Sequence, residues 1–156
     1  MAKKKSTPSN VIAQNRRARH NYHVEETLEA GIVLTGTEIK SLRAGQISFV
    51  DAFAAVHQQE MWLHHVHINE YAQGNRFNHK PERRRKLLLR KAEILRLEQK
   101  VQRQGYTLIP LLFYFKKDWV KVQLGLCKGK KQHDQRQDIA KREAQRQIEQ
   151  TLKRRR

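Results

Sequence analysis

The sequence predicts a mainly β domain with a few helices and a basic C-terminal tail. Three observations carry that reading. From Tyr106 to Phe115, within GYTLIPLLFYFKKDWVKVQLGLC, nearly every residue is apolar or aromatic on both faces. That is the pattern of a strand buried on two sides, as in a closed barrel. Its partner alternates, with Val120, Val122, Leu124 and Leu126 on one face and Lys121 and Gln123 on the other, so it has one wet side. Finally, 156 residues that are 38% hydrophobic and 31% charged supply one core and appendages rather than two domains. Lys116, Lys117 and Asp118 make a hairpin connection. Pro110, which has no N–H to donate, marks an edge or a bulge.

The charge identifies the class of partner. Lys and Arg number 33 against 15 Asp and Glu, a net charge of +18, and such a chain needs a polyanion. Residues 1–20 carry +6 with no acid and residues 127–156 carry +7, while the 106 residues between them hold 16 basic and 11 acidic side chains. Segments this poor in apolar residues do not fold by burying surface. Residues 1–14 are therefore expected to be a disordered basic leader, 15–127 the folded domain, and 128–156 a tail that is disordered when free and helical when bound. The single cysteine, Cys127, excludes an intramolecular disulfide and suits a reducing compartment. MAKKKSTPSN has no apolar core of a signal peptide, and no apolar run approaches the roughly 20 residues of a membrane span, so a cytoplasmic location without membrane contact is expected.

Taken in order, Asn15-Arg16-Arg17-Ala18-Arg19-His20 reads as a phosphate-contacting arm entering the fold. Tyr22 to Leu28 suits a strand, with Glu29-Ala30-Gly31 as a break before Ile32-Val33-Leu34. Thr37 is the expected N-cap of a short helix that carries Ile39 and Leu42 inward, Lys40 and Arg43 outward, and stops at Gly45. Phe53–His57 and Met61–Ile68 read as strands around Gln58-Gln59-Glu60, with Trp62, His64, Val66 and Ile68 on one side and Leu63, His65 and His67 on the other. Tyr71 to Lys91 reads as a mobile cationic loop. Arg76, Lys80, Arg83, Arg84, Arg85, Lys86, Arg90 and Lys91 interleave there with Phe77, Asn75 and Asn78, the mixture in which RNA is both neutralised and stacked upon. Lys91 to Gln104 is the clearest helix, with Ile94, Leu97 and Val101 on its stripe and Gly105 ending it. Past Cys127, Asp134 is the expected cap of a tail helix whose apolar content is thin: Ile139, Ile148 and Leu152.

No catalytic site emerges. The chain has no phosphate-cradling Gly-rich loop and no nucleophile elbow, and Cys127 at a strand end reads as a small core residue. Glu29 and Glu38 near cations orient an arginine or a base more readily than they perform acid–base work. His65 and His67 share a strand face, but no carboxylate pair or second cysteine completes a metal pattern. Neither a metal nor another cofactor is expected.

Three blocks are specific enough to name a family. NRRARHNYHVEETLEAGIVLTGTEIKSLRAG, YAQGNRFNHKPERRRKLLL and LFYFKKDWVKVQLGLCKGKKQHDQR, in that order, resemble the bacterial small protein B family, the SsrA-binding proteins, over Asn15 to Arg142. The resemblance implies a six-stranded, OB-like barrel with about three helices that binds the tRNA-like domain of transfer-messenger RNA and is not an enzyme. It implies action in trans-translation: delivery of that RNA to stalled ribosomes, with elongation factor Tu and alanyl-tRNA synthetase as indirect partners and the chain itself a monomer. Asn15, Glu29 and Leu88 fall at the family's RNA-contacting positions, with Arg16, Arg17, Arg19, His20, Lys40, Arg43, Arg76, Asn78, Arg85 and Lys86 as neighbours. In the tail, Lys128, Lys130, Lys131, His133, Asp134 and Arg136 are implied to meet ribosomal RNA in the empty message channel and decoding centre, His133 by stacking. Gln135 stands where the family commonly carries lysine, and after Arg142 the tail follows no recognised pattern. A generic ribosomal protein is the competing reading. It predicts stoichiometric recovery with vacant ribosomes and no preference for one small RNA.

Overall fold

The computed structural model describes residues 8–155, so the part of the expected leader in residues 1–7 lies outside the described residues. In chain order the elements are β1 (Val11–Gln14), α1 (Arg16–Asn21), β2 (Tyr22–Ile32), α2 (Gly36–Arg43), β3 (Ile47–Ser48), β4 (Phe53–His57), β5 (Glu60–His64) and β6 (His67–Ile68). A 3-10 turn (Asn75–Phe77) follows, then β7 (Arg85–Leu88), α3 (Lys91–Gln104), β8 (Thr107–Lys116), β9 (Trp119–Gly129) and α4 (Gln132–Arg154).

The main sheet runs β1-β8-β4-β5-β7-β2-β9, and β9 also pairs with β8. Six strands, β8, β4, β5, β7, β2 and β9, thus close into a ring, with β1 added outside it on β8; all the pairings are antiparallel. The expected six-stranded architecture is present. Closure depends on β8 serving three neighbours. Its first half reaches β4 through Leu108 opposite Ala54, its second half holds β1 through Leu112, Phe113 and Tyr114, and the register with β9 shifts between Pro110 and Leu112. Pro110 therefore sits at a bulge where the strand changes partners and a missing donor is tolerated.

Burial explains why β8 is apolar on both faces. Inside the ring, Leu108 and Phe113 pack with Met61, Leu63, Leu87, Leu97, Val122, Leu124 and Leu126; outside it, Ile109, Leu111, Tyr114 and Cys127 form a second cluster under Ala18 of α1. On β9 the alternation holds from Val120 to Leu124, but residues 124–127 are all buried, because the outer cluster that contains Cys127 covers the other face there. Across α3, Ile94 and Leu97 are buried, and Gly105 in the left-handed region (φ +68°) ends the helix as expected.

Several elements differ from expectation. Residues 11–14, assigned to the leader, form β1, because Val11, Ile12 and Ala13 can pair along the second half of β8. The arginines of residues 16–19 begin a short helix rather than directly preceding a strand, since Asn15 accepts the Ala18 N–H at 3.3 Å as its cap. No break occurs at Glu29-Ala30-Gly31. All three residues pair with β9, and Gly31 permits close approach, a Cβ there falling 3.1 Å from the Leu88 Cβ. Thr35, not Thr37, caps α2, its N–H donating to Glu38 Oε1 at 2.9 Å. The β4–β5 turn is the tighter pair Gln58-Gln59, both at positive φ.

The alternation after Met61 resets at His65 (φ +62°). Met61 and Leu63 face inward, and after the reset Val66 and Ile68 do so as well. The long cationic loop contains β7, which pairs with β5 and β2 and completes the ring. β9 continues past Cys127, where the tail was expected to begin, with Lys128 and Gly129 still paired to His23 and Tyr22. At α4 the cap is Lys131, whose N–H donates to Asp134 three residues on at 3.4 Å.

Candidate nucleic-acid interface

The cationic and polar residues fall into three surface groups and one interior one. The first is a groove along β2, β7 and β9 that brings together Glu29, Lys86 and Leu88, together with Lys121, Arg90 and Lys91. Alternation on β7 sends Arg85 and Leu87 inward and leaves Lys86 and Leu88 outward, Leu88 52% exposed. Glu29 accepts from Tyr114 Oη and, at 3.2 Å, from Lys116 Nζ. The tyrosine hydrogen bond, then the lysine, hold its carboxyl below the usual range, while burial and Glu29 push the Tyr114 phenol up. The site is thus a carboxylate fixed among cations beside an exposed leucine, able to accept from a base edge while its neighbours bind phosphates.

The second group surrounds α1. Asn15, Arg16 and Arg17 line a groove with Ser48, Val50 and Asp51. The Asn15 amide is spent within the fold, donating to Pro110 O at 3.0 Å as well as capping α1. It positions the helix on which Arg16, Arg17 and Arg19 stand exposed, with His20 half-buried.

The third group joins α2 to the 71–80 loop. Lys40 Nζ lies 5.3 Å from the Tyr71 ring centre, Arg76 lies 5.0 Å from that of Phe77, and Arg43 lies 5.9 Å from that of Phe115. The Asn78 amide bonds the Tyr71 backbone twice, at 3.0 and 2.6 Å, so it closes the loop while Phe77 stands 78% exposed at its tip.

Arg85 corrects the expectation that it belongs to the surface. It is fully buried beside fully buried Glu38. Its guanidinium pairs with Glu38 Oε2 and donates to Val66 O at 2.7 Å, Arg83 O at 3.0 Å and Pro81 O at 2.9 Å. Arg83 donates to the other Glu38 oxygen through Nε at 3.1 Å and also through Nη2. Burial raises the Glu38 carboxyl, but the Thr35 N–H and the two guanidiniums outweigh it and hold it below the ordinary 4.5. This network ties α2 to the cationic loop from the inside. Its signal in the sequence was the inward register of Arg85 relative to Leu87, hidden inside a run of three arginines.

In the tail, Lys130 is structural. Its N–H donates to Asn21 O at 2.9 Å, its Nζ to Arg19 O at 2.9 Å, and Nζ also pairs with Asp138. Asp134 faces His23 at 3.4 Å, and Lys128 Nζ lies 4.6 Å from the Tyr106 ring centre. Lys131, His133 and Arg136 are exposed. Beyond Asp138 no hydrogen bond or ion pair joins α4 to the barrel among the described residues.

Among the described residues no three His, Cys, Asp or Glu side chains are placed to share a metal ion, and no helix is long and apolar enough to cross a membrane. Cys127 is fully buried and its thiol is pushed up to about 11 by that burial, the reverse of an activated nucleophile.

The family model described as SmpB protein matches residues 12–154, extending past Arg142 into the part of the tail that motifs left without a pattern. The SsrA-binding protein of Thermobifida fusca (strain YX) is 56% identical over 94% of this chain and 91% of its own. That of Levilactobacillus brevis is 56% identical over 98% of this chain and 99% of its own, and that of Saccharopolyspora erythraea 58% over 91% and 90%. A solved chain from "tmRNA-SmpB: a journey to the center of the bacterial ribosome" superposes with a TM-score of 0.66 at 50% identity, covering 77% of this chain and 85% of that one. With a match of that extent and relatives this similar across nine-tenths of its length, the chain belongs to the SmpB family of SsrA-binding proteins.

Proposed function

We propose that this chain binds the tRNA-like domain of transfer-messenger RNA through its barrel and accompanies that RNA to stalled ribosomes, where truncated polypeptides are tagged and released. One observation supports it above the others: the groove that sets Glu29 and Leu88 among Lys86, Lys121, Arg90 and Lys91. A fixed acceptor flanked by cations recognises a folded RNA, whereas cations alone would bind any polyanion. Arg16, Arg17 and Arg19 on α1, and Lys40, Arg43 and Arg76 around α2, extend the phosphate-binding surface. His20 borders it; Asn15 and Asn78 shape its backbone; Arg85 acts from the interior.

The tail reads as the ribosome-facing arm. Over 23 residues α4 buries no apolar side chain, and Ile139, Ile148 and Leu152 stay exposed. Such a helix draws its stability from what it docks on, so it is disordered for much of the time when free and held helical in the empty message channel. Lys131, His133 and Arg136 would meet ribosomal RNA at the decoding centre, while Lys128, Lys130 and Asp134 fix the root. Elongation factor Tu and alanyl-tRNA synthetase join through the RNA. The chain acts in the cytoplasm, as a monomer and a binding factor rather than an enzyme.

The test is a competition titration at near-physiological salt, with labelled transfer-messenger RNA against bulk tRNA and an unrelated RNA of similar size. A preference well beyond the salt-driven background is expected. Equal competition by unlabelled transfer-messenger RNA, bulk tRNA and the unrelated RNA would leave a generic basic ribosomal protein as the better account.

A further inference from the structure

The outer face of β4, β5 and β7 carries rings and cations in a row. Cross-strand register sets Phe53 opposite His64, Ala55 opposite Trp62, and Trp62 opposite Lys86, while the alternate residues Ala54, Met61, Leu63, Arg85 and Leu87 are buried in the barrel. The Phe53 and His64 rings stack with centres 5.0 Å apart and planes 16° from parallel. His65, turned by its positive φ, brings a third ring within 5.6 Å of Phe53. One step along β5, the Arg84 guanidinium lies 4.4 Å from the Trp62 ring centre. Arg84 and His65 are exposed, and Phe53, Trp62 and His64 half-buried. The Trp62 indole N–H has no acceptor, the one buried side-chain donor so left among the described residues.

We propose that this face is a second RNA site, which stacks unpaired bases on Phe53, His64 and His65 at one position and on Trp62 and Arg84 at the next. Two residues apart on one strand face, His64 and Trp62 are spaced by about 7 Å, which accommodates two bases lying side by side. Rings bordered by cations suit single-stranded RNA, since every base presents a π face and every linkage a phosphate. A protein partner would favour aliphatic neighbours and fewer charges at the centre of the contact. The acid in the row, Glu60, is held by Lys86 at 2.9 Å. Burial, then His65, Arg84 and His57, keep the His64 imidazole below its ordinary value, so at neutral pH it meets a base as an uncharged ring. Lys86 and Glu60 also line the groove that contains Glu29 and Leu88. The row therefore begins where that groove ends, placed to take an unpaired strand leaving a folded RNA bound there.

The proposal rests on the reading of the chain as an RNA-binding factor, and its test keeps the two apart. The chain has two tryptophans and four tyrosines, so Trp119→Phe leaves Trp62 as the sole tryptophan, whose emission is read with excitation beyond the tyrosine absorption. Titration with a short unstructured oligoadenylate is expected to quench it saturably. Arg84→Ala and His64→Ala are each expected to weaken that binding about tenfold while changing affinity for the folded tRNA-like domain less than twofold. Absence of quenching overturns the proposal and leaves the face to a protein. Equal loss of oligonucleotide and folded-domain binding, with an unchanged urea midpoint, also overturns it, because the two sites would then be one. Oligonucleotide binding without preference for transfer-messenger RNA would instead sink the functional reading and leave this site standing.

Discussion

Replacing Glu38 by alanine probes the interior network that orders the cationic loop. Glu38 and Arg85 are both fully buried, and the carboxylate also accepts from Arg83 and from the Thr35 N–H. Removing it leaves the Arg85 charge without its counter-ion in the core, a change that costs about 3–5 kcal/mol. Domain stabilities run to about 5–15 kcal/mol, so the variant should remain folded but marginal. With a urea m value of about 2 kcal/mol/M, a loss of about 4 kcal/mol lowers the midpoint by about 2 M. The double variant Glu38→Leu with Arg85→Met removes both charges and should recover most of the loss. The same network has a pH signature. Because the folded carboxyl lies below its ordinary 4.5, its contribution is complete above about that value and is lost as pH falls through the lower, folded one. Glu38→Gln should flatten that acid limb. Urea unfolding followed by circular dichroism at pH 7 and across the acid range measures both effects. A midpoint shift below about 0.5 M for Glu38→Ala would refute the reasoning, because it would mean that Arg85 is solvated or otherwise paired.

A stop codon after Lys131 should leave affinity for transfer-messenger RNA within about twofold while abolishing peptide tagging in a reconstituted translation system, whereas a stop directly after Cys127 should also destabilise the barrel, since it removes the Lys128 and Gly129 pairing with β2. Lys86→Gln or Arg16→Gln should each reduce the slope of log affinity against log salt by about one, and an unchanged slope would remove that residue from the interface. Glu29→Ala should weaken transfer-messenger RNA binding about tenfold but leave binding of bulk tRNA nearly unaltered, because it removes the acceptor that recognises the RNA and none of the cations that hold phosphates. Gly125→Ala places a Cβ 2.8 Å from Leu111 Cδ1 and 3.0 Å from Cys127 Sγ; thermal melting should report a loss of about 1–3 kcal/mol.

Elements whose own side chains are buried were the legible ones. The β8–β9 hairpin and α3 follow directly from period-2 and 3.6-residue apolar patterns, and the closed barrel follows from the two-sided burial of β8. Where local composition and tertiary position disagree, the sequence misled. Within Arg83-Arg84-Arg85-Lys86 the dominant signal is charge, yet one of the four side chains fills the core because Glu38, 47 residues away, waits there. No local pattern reveals a partner at that separation. The same holds for Gly31, whose neighbourhood reads as a break until the packing of Leu88 against it is known. Of the candidate surface, Glu29 and Leu88 with their neighbour Lys86 are named through the family resemblance, and only the register of β2 with β7 and β9 gathers them into a groove. Alternation places Trp62 and His64 on one strand face, but the row they form with Phe53 and Arg84 is not visible in it, since it needs the strands beside β5 to be known.

Lys130 makes the two basic arms of the chain a single lever. Its N–H and its Nζ grip the carbonyls of Asn21 and Arg19, at the C-terminal end of the short helix that displays Arg16 and Arg17, and α4 starts two residues later. A 23-residue helix is about 34 Å long, so a tilt of about 10° at that fulcrum moves the far end by about 6 Å. With α4 helical, a reorientation of α1 transmitted through this grip also redirects the tail, and a small adjustment at α1 becomes a displacement about the width of a nucleotide at the far end of α4.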